Sequence, residues 1–200
     1  MTVLAILATL MSPPALETDG DDLLARFRRG DADAFAAIYR AHVAAVYRRL
    51  TSIVGPIDER EDLVQDVFLA LHRTLPRFRG DAQLATLIHR IAVNAACDQL
   101  RRQRRRPSTP LPEEFFEDMI APGTSPEVAA ELRQELAAVF ACLAQIKPKK
   151  RVALLLHHVE GLTFEEIGKL VDASADTVAK RVQHGKRELD TLVAQARRCT

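Results

Sequence analysis

Apolar side chains recur along this chain every three to four positions, the period of a helix that buries one face. Leu24, Phe27, Phe35, Ile38, Tyr39, Val43, Val46 and Leu50 form such a stripe over two segments, 22–29 and 33–50, punctuated by Gly30-Asp31. Gly55-Pro56 breaks the pattern and Glu61–Arg73 resumes it, with Leu63, Val64, Val67, Phe68 and Leu71 facing inward. Acids crowd the first turn of that segment, where the helix dipole favours them. A long helix is expected from Leu84 to about Arg104, with Leu84, Leu87, Ile88, Ile91, Ala95 and Leu100 in its core. Further helices are expected from Pro126 through Leu143 and over Lys149–Val159, with a turn at Lys147-Pro148. We find no segment that alternates apolar and polar residues as a strand does.

The pattern is most detailed over Leu162–Leu192, which reads as two short helices across a tight turn. Thr163 with Glu166 three residues on makes a capping box, so the first helix starts there. Ile167, Leu170 and Val171 share one face, and Asp172 stands where the turn wants a left-handed residue. Ser174 can cap the second helix, whose inner face is Val178, Val182, Gly185 and Leu189. Its other face carries Asp176, Lys180, Gln183, His184 and Arg187, flanked by Arg181 and Lys186. Small and apolar inside, basic and amide-bearing outside suits a helix entering the DNA major groove. An amphipathic hairpin with a solvated charged face would show the same periodicity.

The composition agrees with an all-α fold: 8 Gly, no Trp and 5% aromatics among 200 residues. The formal net charge of +1 hides strong segregation. Pro76–Arg106 carries eight Arg against two Asp, whereas Pro107–Pro126 carries four acids, five prolines and no Lys or Arg. Two basic modules joined by an acidic, semi-extended linker suggest contact with a polyanion in two places. The expected organisation is an N-terminal extension over 1–20, one helical domain over 21–106, a linker over 107–126 and a second helical domain over 127–195. Val3–Met11 is apolar but too short to span a bilayer and lacks a signal peptide's cationic flank, so 1–20 reads as disordered or as an upstream start, with order beginning near Asp21.

Catalytic chemistry finds no support. Cys97, Cys142 and Cys199 are far apart with no CxxC pair, which argues against a disulfide framework or structural zinc and suits a reducing cytoplasm. His158-x-Glu160 matches half of a zinc deaminase motif, but the PCxxC half is missing. No cofactor, metal or small-molecule substrate is expected. Two surfaces do stand out. Asp62, Gln65, Asp66 and Leu69 form a second stripe at helical spacing, acids mixed with a leucine, readable as a protein-binding strip or a solvated face. The loop Leu75–Gln83 offers Phe78 for stacking between Arg77 and Arg79, and the RRQRRR run at Arg101–Arg106 follows on the next helix. Such a set suits phosphates and unstacked bases. Phe78 could instead close the loop as a core residue, and the Arg run could simply solubilise a helix C-terminus.

The segments GDADAFAAIYRAH, DLVQDVFLALHRTLPRFRGD and LIHRIAVNAACDQLRRQRR, followed by IKPKKRVALLLHHVEGLTFEEIGKLVDASADTVAKRV, resemble in content and order an extracytoplasmic-function sigma factor, a promoter-recognition subunit of bacterial RNA polymerase. The resemblance covers about Asp22 to Leu192. It implies that Asp62, Leu63, Gln65, Asp66 and Leu69 dock on core polymerase. It implies that Arg77, Phe78, Arg79, Arg90, Asn94 and Arg101 engage the melted minus-10 strand. Ser174, Thr177, Lys180, Arg181, Gln183, His184, Lys186 and Arg187 would then read the minus-35 element. The linker would thread the polymerase's RNA channel, where a carboxylate-rich strand mimics nucleic acid. The implied partners are core polymerase, promoter DNA and an anti-sigma factor, in the cytoplasm and without membrane insertion. The chain departs from the family pattern at Leu87, commonly Trp, at His89, often Tyr, and at Ala179 and His184, where basic residues are frequent. Gly185 replaces an Ala, at about 1 kcal/mol of helix stability. The rivals are a helix-turn-helix regulator that is not a polymerase subunit, and an RNA-processing enzyme using the Arg run.

Overall fold

The computed structural model describes residues 20–55, 59–80, 83–103 and 123–198. The described residues form eight α-helices and one short 3-10 turn, with no strand among them. The N-terminal bundle comprises α1 (Gly20–Arg28), α2 (Ala32–Val54), α3 (Arg60–Thr74) and α4 (Leu84–Gln103). The C-terminal bundle comprises α5 (Pro126–Gln145), α6 (Pro148–His158), α7 (Phe164–Val171) and α8 (Ala175–Ala196). The N-terminal extension, Arg104–Arg106 and most of the linker, with Phe115-Phe116, lie outside the described residues, as does Cys199.

Local chemistry sets the boundaries. Asp31 caps α2, its carboxylate accepting from the Asp33 amide at 2.9 Å and pairing with Arg26 at 2.9 Å, which holds its carboxyl below the usual range. Ser125 caps α5, with Pro126 in the first turn, and Pro148 opens α6. Around α7 the expected features are all present. Thr163 and Glu166 form the reciprocal capping box, Asp172 is left-handed at φ 49°, and Ser174 accepts from the Thr177 amide.

Helical periodicity placed most of the core, with one residue misplaced in α2 and the phase missed in α4. Leu24, Ile38, Val46 and Leu50 are buried as expected, but Tyr39 is 38% exposed, its ring lying 4.6 Å from Phe68. In α4 the buried stripe is Leu84, Ile88, Ala92, Val93, Ala96, Gln99 and Leu100, whereas Leu87, Ile91 and Ala95 are half-buried. The stripe shifts because α4 packs against α1, α2 and α3 of its own bundle and also against α6 and α7 of the other.

That second contact makes the two bundles touch, and a polar joint lies within it. Arg49 of α2 donates three hydrogen bonds to the Glu160 carboxylate in the turn after α6, Nε at 2.9 Å to both oxygens and Nη2 at 2.6 Å. Both side chains are buried, 4% and 2% exposed. His89 of α4 reaches the same carboxylate at 3.8 Å, outside hydrogen-bond range. Burial pushes Glu160 up and Arg49 down, outweighing their mutual attraction. Arg151 of α6 is also buried, its Nη2 3.5 Å from where a Cβ on Gly55 at the end of α2 would sit; its Nε has no partner among the described residues, and burial alone lowers its pKa to about 10.

Two glycines let the helices of the C-terminal bundle approach. A Cβ on Gly168 would sit 2.5 Å from the Ala173 carbonyl oxygen, so the turn between α7 and α8 closes over a bare Cα. A Cβ on Gly185 would meet the Lys150 carbonyl oxygen at 3.3 Å, so this glycine admits α8 against α6. Its cost in helix propensity is therefore partly offset by packing. Gly168→Ala should lose about 1–3 kcal/mol of stability in urea unfolding, because the obstacle is backbone. Gly185→Ala should stay within about 1 kcal/mol of the parent, since the propensity gain and the crowding oppose each other.

Candidate nucleic-acid interface

The helix α8 is the most fully specified surface. Val178, Val182, Gly185 and Leu189 are its buried face, the four positions that periodicity selected. Opposite them Lys180, Gln183, His184 and Arg187 are exposed, while Arg181 and Lys186 are half-buried at the flanks. The cations are partly neutralised within the helix: Lys180 pairs with Asp176 at 2.8 Å and Lys186 with Asp190 at 2.9 Å. Asp176 also holds the Lys180 ammonium above its usual pKa. At the N-terminus Ser174 and Thr177 are occupied with each other, their hydroxyls 2.9 Å apart. Lys150 of α6 pairs with Glu188, which fixes the roll of α8 on its support.

The loop after α3 begins as a 3-10 turn, Leu75–Arg77. Leu75 is fully buried and anchors it, while Arg77 and Arg79 are exposed on either side of Phe78. Phe78 is half-buried against the core, and its carbonyl accepts a hydrogen bond from the Arg28 guanidinium at the end of α1. Gly80 takes φ 86°, which lets the chain turn toward α4; Asp81 and Ala82 lie outside the described residues. On α4, Arg90, Asn94 and Arg101 are exposed, with Arg101 paired to Asp98. The loop and this face together form a basic surface on the N-terminal bundle.

The strip on α3 is present with one correction. Asp62, Gln65, Asp66 and Leu69 are exposed, Leu69 at 54%. Leu63 is 6% exposed and packs in the core, so it cannot be part of a docking face. It entered the docking set through the family resemblance alone; periodicity had already placed it in the inward series with Val67, and burial agrees with the periodicity. Tyr39, read as core, instead adds an exposed aromatic edge from the neighbouring α2. No group of three His, Cys, Asp or Glu converges on a common point among the described residues. Among them, too, no helix is long and apolar enough to cross a membrane. Cys142 is buried and Cys97 half-buried, and burial pushes both thiols up.

Two family models match this arrangement, sigma-70 region 2 over residues 38–106 and sigma-70 region 4 over residues 136–189. The chain is 32% identical to the RNA polymerase sigma-H factor of Pseudomonas aeruginosa over 175 residues, 84% of this chain and 90% of that protein. It is likewise 32% identical to the ECF RNA polymerase sigma-E factor of Escherichia coli over 183 residues, 86% of this chain and 92% of that one. The chain belongs to the extracytoplasmic-function sigma factors. This sigma factor shares its all-α, two-bundle fold with CnrH, solved in complex with the cytosolic domain of CnrY, at a TM-score of 0.63 and 22% identity over 90% of this chain and 99% of that one. It is a transcription initiation factor, and its region 2 and region 4 imply core RNA polymerase and promoter DNA as partners. The reading as a helix-turn-helix regulator outside the polymerase is set aside, because region 2 is matched as well as region 4. In keeping with that family, the sigma factor is a regulatory subunit.

Three features of the sigma factor escaped sequence reasoning: the Arg49–Glu160 pair, the bare turn at Gly168 and the exposed Tyr39. Only Gly168 carried a local signal, as a glycine inside an otherwise apolar helical face. For the loop, half-burial of Phe78 gives a stability expectation. Phe78→Ala should cost about 1–2 kcal/mol, roughly half the loss for a fully buried phenylalanine, read by thermal or urea unfolding. A melting temperature identical to the parent's would mean that the ring contributes nothing to the core.

Proposed function

We propose that this sigma factor uses three separate surfaces for initiation: the α3 strip for core polymerase, the α3–α4 loop with α4 for the minus-10 strand, and α8 for the minus-35 element. The observation that carries this reading is the clean division of α8 into a buried apolar face and an exposed face of Lys180, Gln183, His184 and Arg187. A solvated structural helix needs no amide and imidazole aligned with cations; a groove reader needs both base-edge and phosphate donors. Arg181 and Lys186 at the flanks suit phosphates, with Ser174 and Thr177 at the helix entry. Ala179 and His184 differ from the family's usual basic residues, so the preferred promoter sequence is not copied from the family.

On the N-terminal bundle, Arg77 and Arg79 would hold phosphates on either side of an unpaired base stacked on the exposed part of Phe78, with Arg90, Asn94 and Arg101 extending the track along α4. Melting then follows from tighter binding of the unpaired strand, with aromatic stacking worth about 1–3 kcal/mol per base. Asp62, Gln65, Asp66 and Leu69 would contact polymerase. A leucine left half exposed among acids is costly to hydrate and is relieved by a partner that is apolar at that point and basic around it. The acidic linker, 107–126, would occupy the polymerase's RNA channel. The division into domains at 21–106 and 127–195 and action in the cytoplasm belong to the same reading. That CnrH is solved bound to the cytosolic domain of CnrY supports an anti-sigma partner for this chain as well.

Two experiments test these assignments. Asp66→Arg should leave thermal stability within about 0.5 kcal/mol of the parent, as exposed helix substitutions do, while abolishing co-purification with core polymerase. Normal assembly by that variant would remove α3 from the docking surface. For α8, Arg187→Ala should weaken minus-35 binding evenly across sequences and lower the salt slope by about one unit. Gln183→Ala should instead change base preference at one position. Identical, sequence-independent losses for both variants would show that the helix reads no bases.

A further inference from the structure

We propose that Asp176 and Lys180 act together as a preformed reader of one C·G base pair, the carboxylate taking the cytosine amino group and the ammonium the guanine acceptors. The inference deepens the assignment of α8 to the minus-35 element and rests on it. Helix-turn-helix readers set the N-terminal residues of their second helix against base edges. Asp176 stands in the first turn of α8, one turn before Lys180, on the exposed stripe that continues through Gln183, His184 and Arg187. It is the one acid in the first half of that helix, since Glu188 and Asp190 lie toward its far end. An acid at this point opposes attachment to phosphates, so a helix built for affinity alone would omit it.

Starting the helix does not occupy this carboxylate. Ser174 is the cap, accepting from the Thr177 amide, and the Ser174 and Thr177 hydroxyls are engaged with each other. Asp176 Oδ2 accepts from Lys180 Nζ at 2.8 Å, while Oδ1 accepts from no described residue. Both side chains reach into solvent, 75% exposed for Asp176 and 69% for Lys180. The pair thus holds an acceptor beside a donor, and each has capacity left: the ammonium keeps further N–H groups and the carboxylate further lone pairs. A C·G pair shows the complement in the major groove, the cytosine N4 amino group beside the guanine O6 and N7 acceptors. N4 and O6 are hydrogen-bonded to each other at about 2.9 Å, so the spacing of the ion pair matches that of the base-pair edge. N4 then donates to Asp176 and Lys180 donates to O6, closing a ring of hydrogen bonds in which the ion pair stays intact. Reversal to G·C sets acceptors before the carboxylate and the amino group before the ammonium, and T·A fails in the same way. A·T keeps the order of amino group and acceptor, but its O4 has no N7 beside it and carries the neighbouring thymine methyl. The expected ranking is C·G, then A·T, with G·C and T·A last.

The test uses holoenzyme assembled from the full chain and core polymerase. Randomised duplexes are selected for binding, and affinity is then measured on the selected minus-35 duplex with each base pair replaced in turn. The parent should show one position at which C·G to G·C lowers affinity about tenfold or more, as loss of a paired base contact does. Asp176→Ala and Lys180→Ala should each level the choice at that position, with helicity by circular dichroism unchanged and preferences elsewhere intact. The double variant should lose no more discrimination than either single one, because the two groups act as a unit. The exchange Asp176→Lys with Lys180→Asp should turn the preference to G·C. Asp176→Ala binding every duplex more tightly by one common factor, with its preferences kept, would overturn the inference and leave a plain repelling acid. Loss of preference at different positions in the two single variants would overturn it too, as would an exchange variant of parental helicity that still selects C·G. Footprinting of the parent on the selected duplex reports on α8 itself. Absence of minus-35 protection removes the assignment of the helix, whereas protection with base choice insensitive to Asp176 removes only the paired reading.

Discussion

The mutual position of the two bundles depends on how Glu160 is desolvated. It lies in the turn that joins α6 to the helix-turn-helix, and three hydrogen bonds from Arg49 are what make its burial tolerable. Around that point the chain sets α4, which carries the N-terminal basic surface, directly against α6 and α7, which carry α8. A joint of this kind specifies a geometry without adding much stability.

Within the C-terminal bundle the constraint is steric instead. The turn from α7 to α8 combines a left-handed Asp172, a cap at Ser174 and a glycine at 168 whose missing Cβ leaves room for the Ala173 carbonyl. Gly185 then brings α8 onto α6, and Lys150–Glu188 fixes its rotation. The rotation matters because it decides which side chains face outward. Turning α8 by one residue, about 100°, would replace the Lys180, Gln183, His184 and Arg187 face with a different set. The surface proposed to read DNA thus rests on contacts made entirely on its opposite side.

What could be read from the sequence follows the range of the interactions involved. The α7–α8 hairpin was legible almost residue by residue, because caps, turn and helical phase are all decided within a few positions. Helix α4 was legible as a helix and misphased, because one stripe was expected and it packs on two bundles at once. Leu63 was assigned to two faces, and burial resolves it to the core. Tyr39 sits at the edge of its stripe, where an aromatic ring can lie flat on Phe68 and still keep an exposed edge. The Arg49–Glu160 pair was invisible: neither residue breaks a local pattern, and charge on a helix flank ordinarily means solvent. The Glu160 position had drawn notice only as half of a metal motif, and its role is electrostatic and distant in sequence.

The intrahelical pairs on α8 have an effect on how tightly this protein can discriminate among solutions as well as sequences. Asp176 and Asp190 sit one turn from Lys180 and Lys186 and act as covalently attached counterions. When such a lysine moves to a phosphate it leaves a carboxylate rather than a bulk anion, so the entropy of released ions is smaller and the carboxylate must be hydrated or repelled. On the proposed assignment of α8 to DNA, Arg181 and Arg187 would carry most of the ionic component, and non-specific attachment to any duplex would be held down. A reader helix that is frugal in unpaired cations leaves base contacts a larger share of its affinity, and lets the protein search DNA without being retained by it.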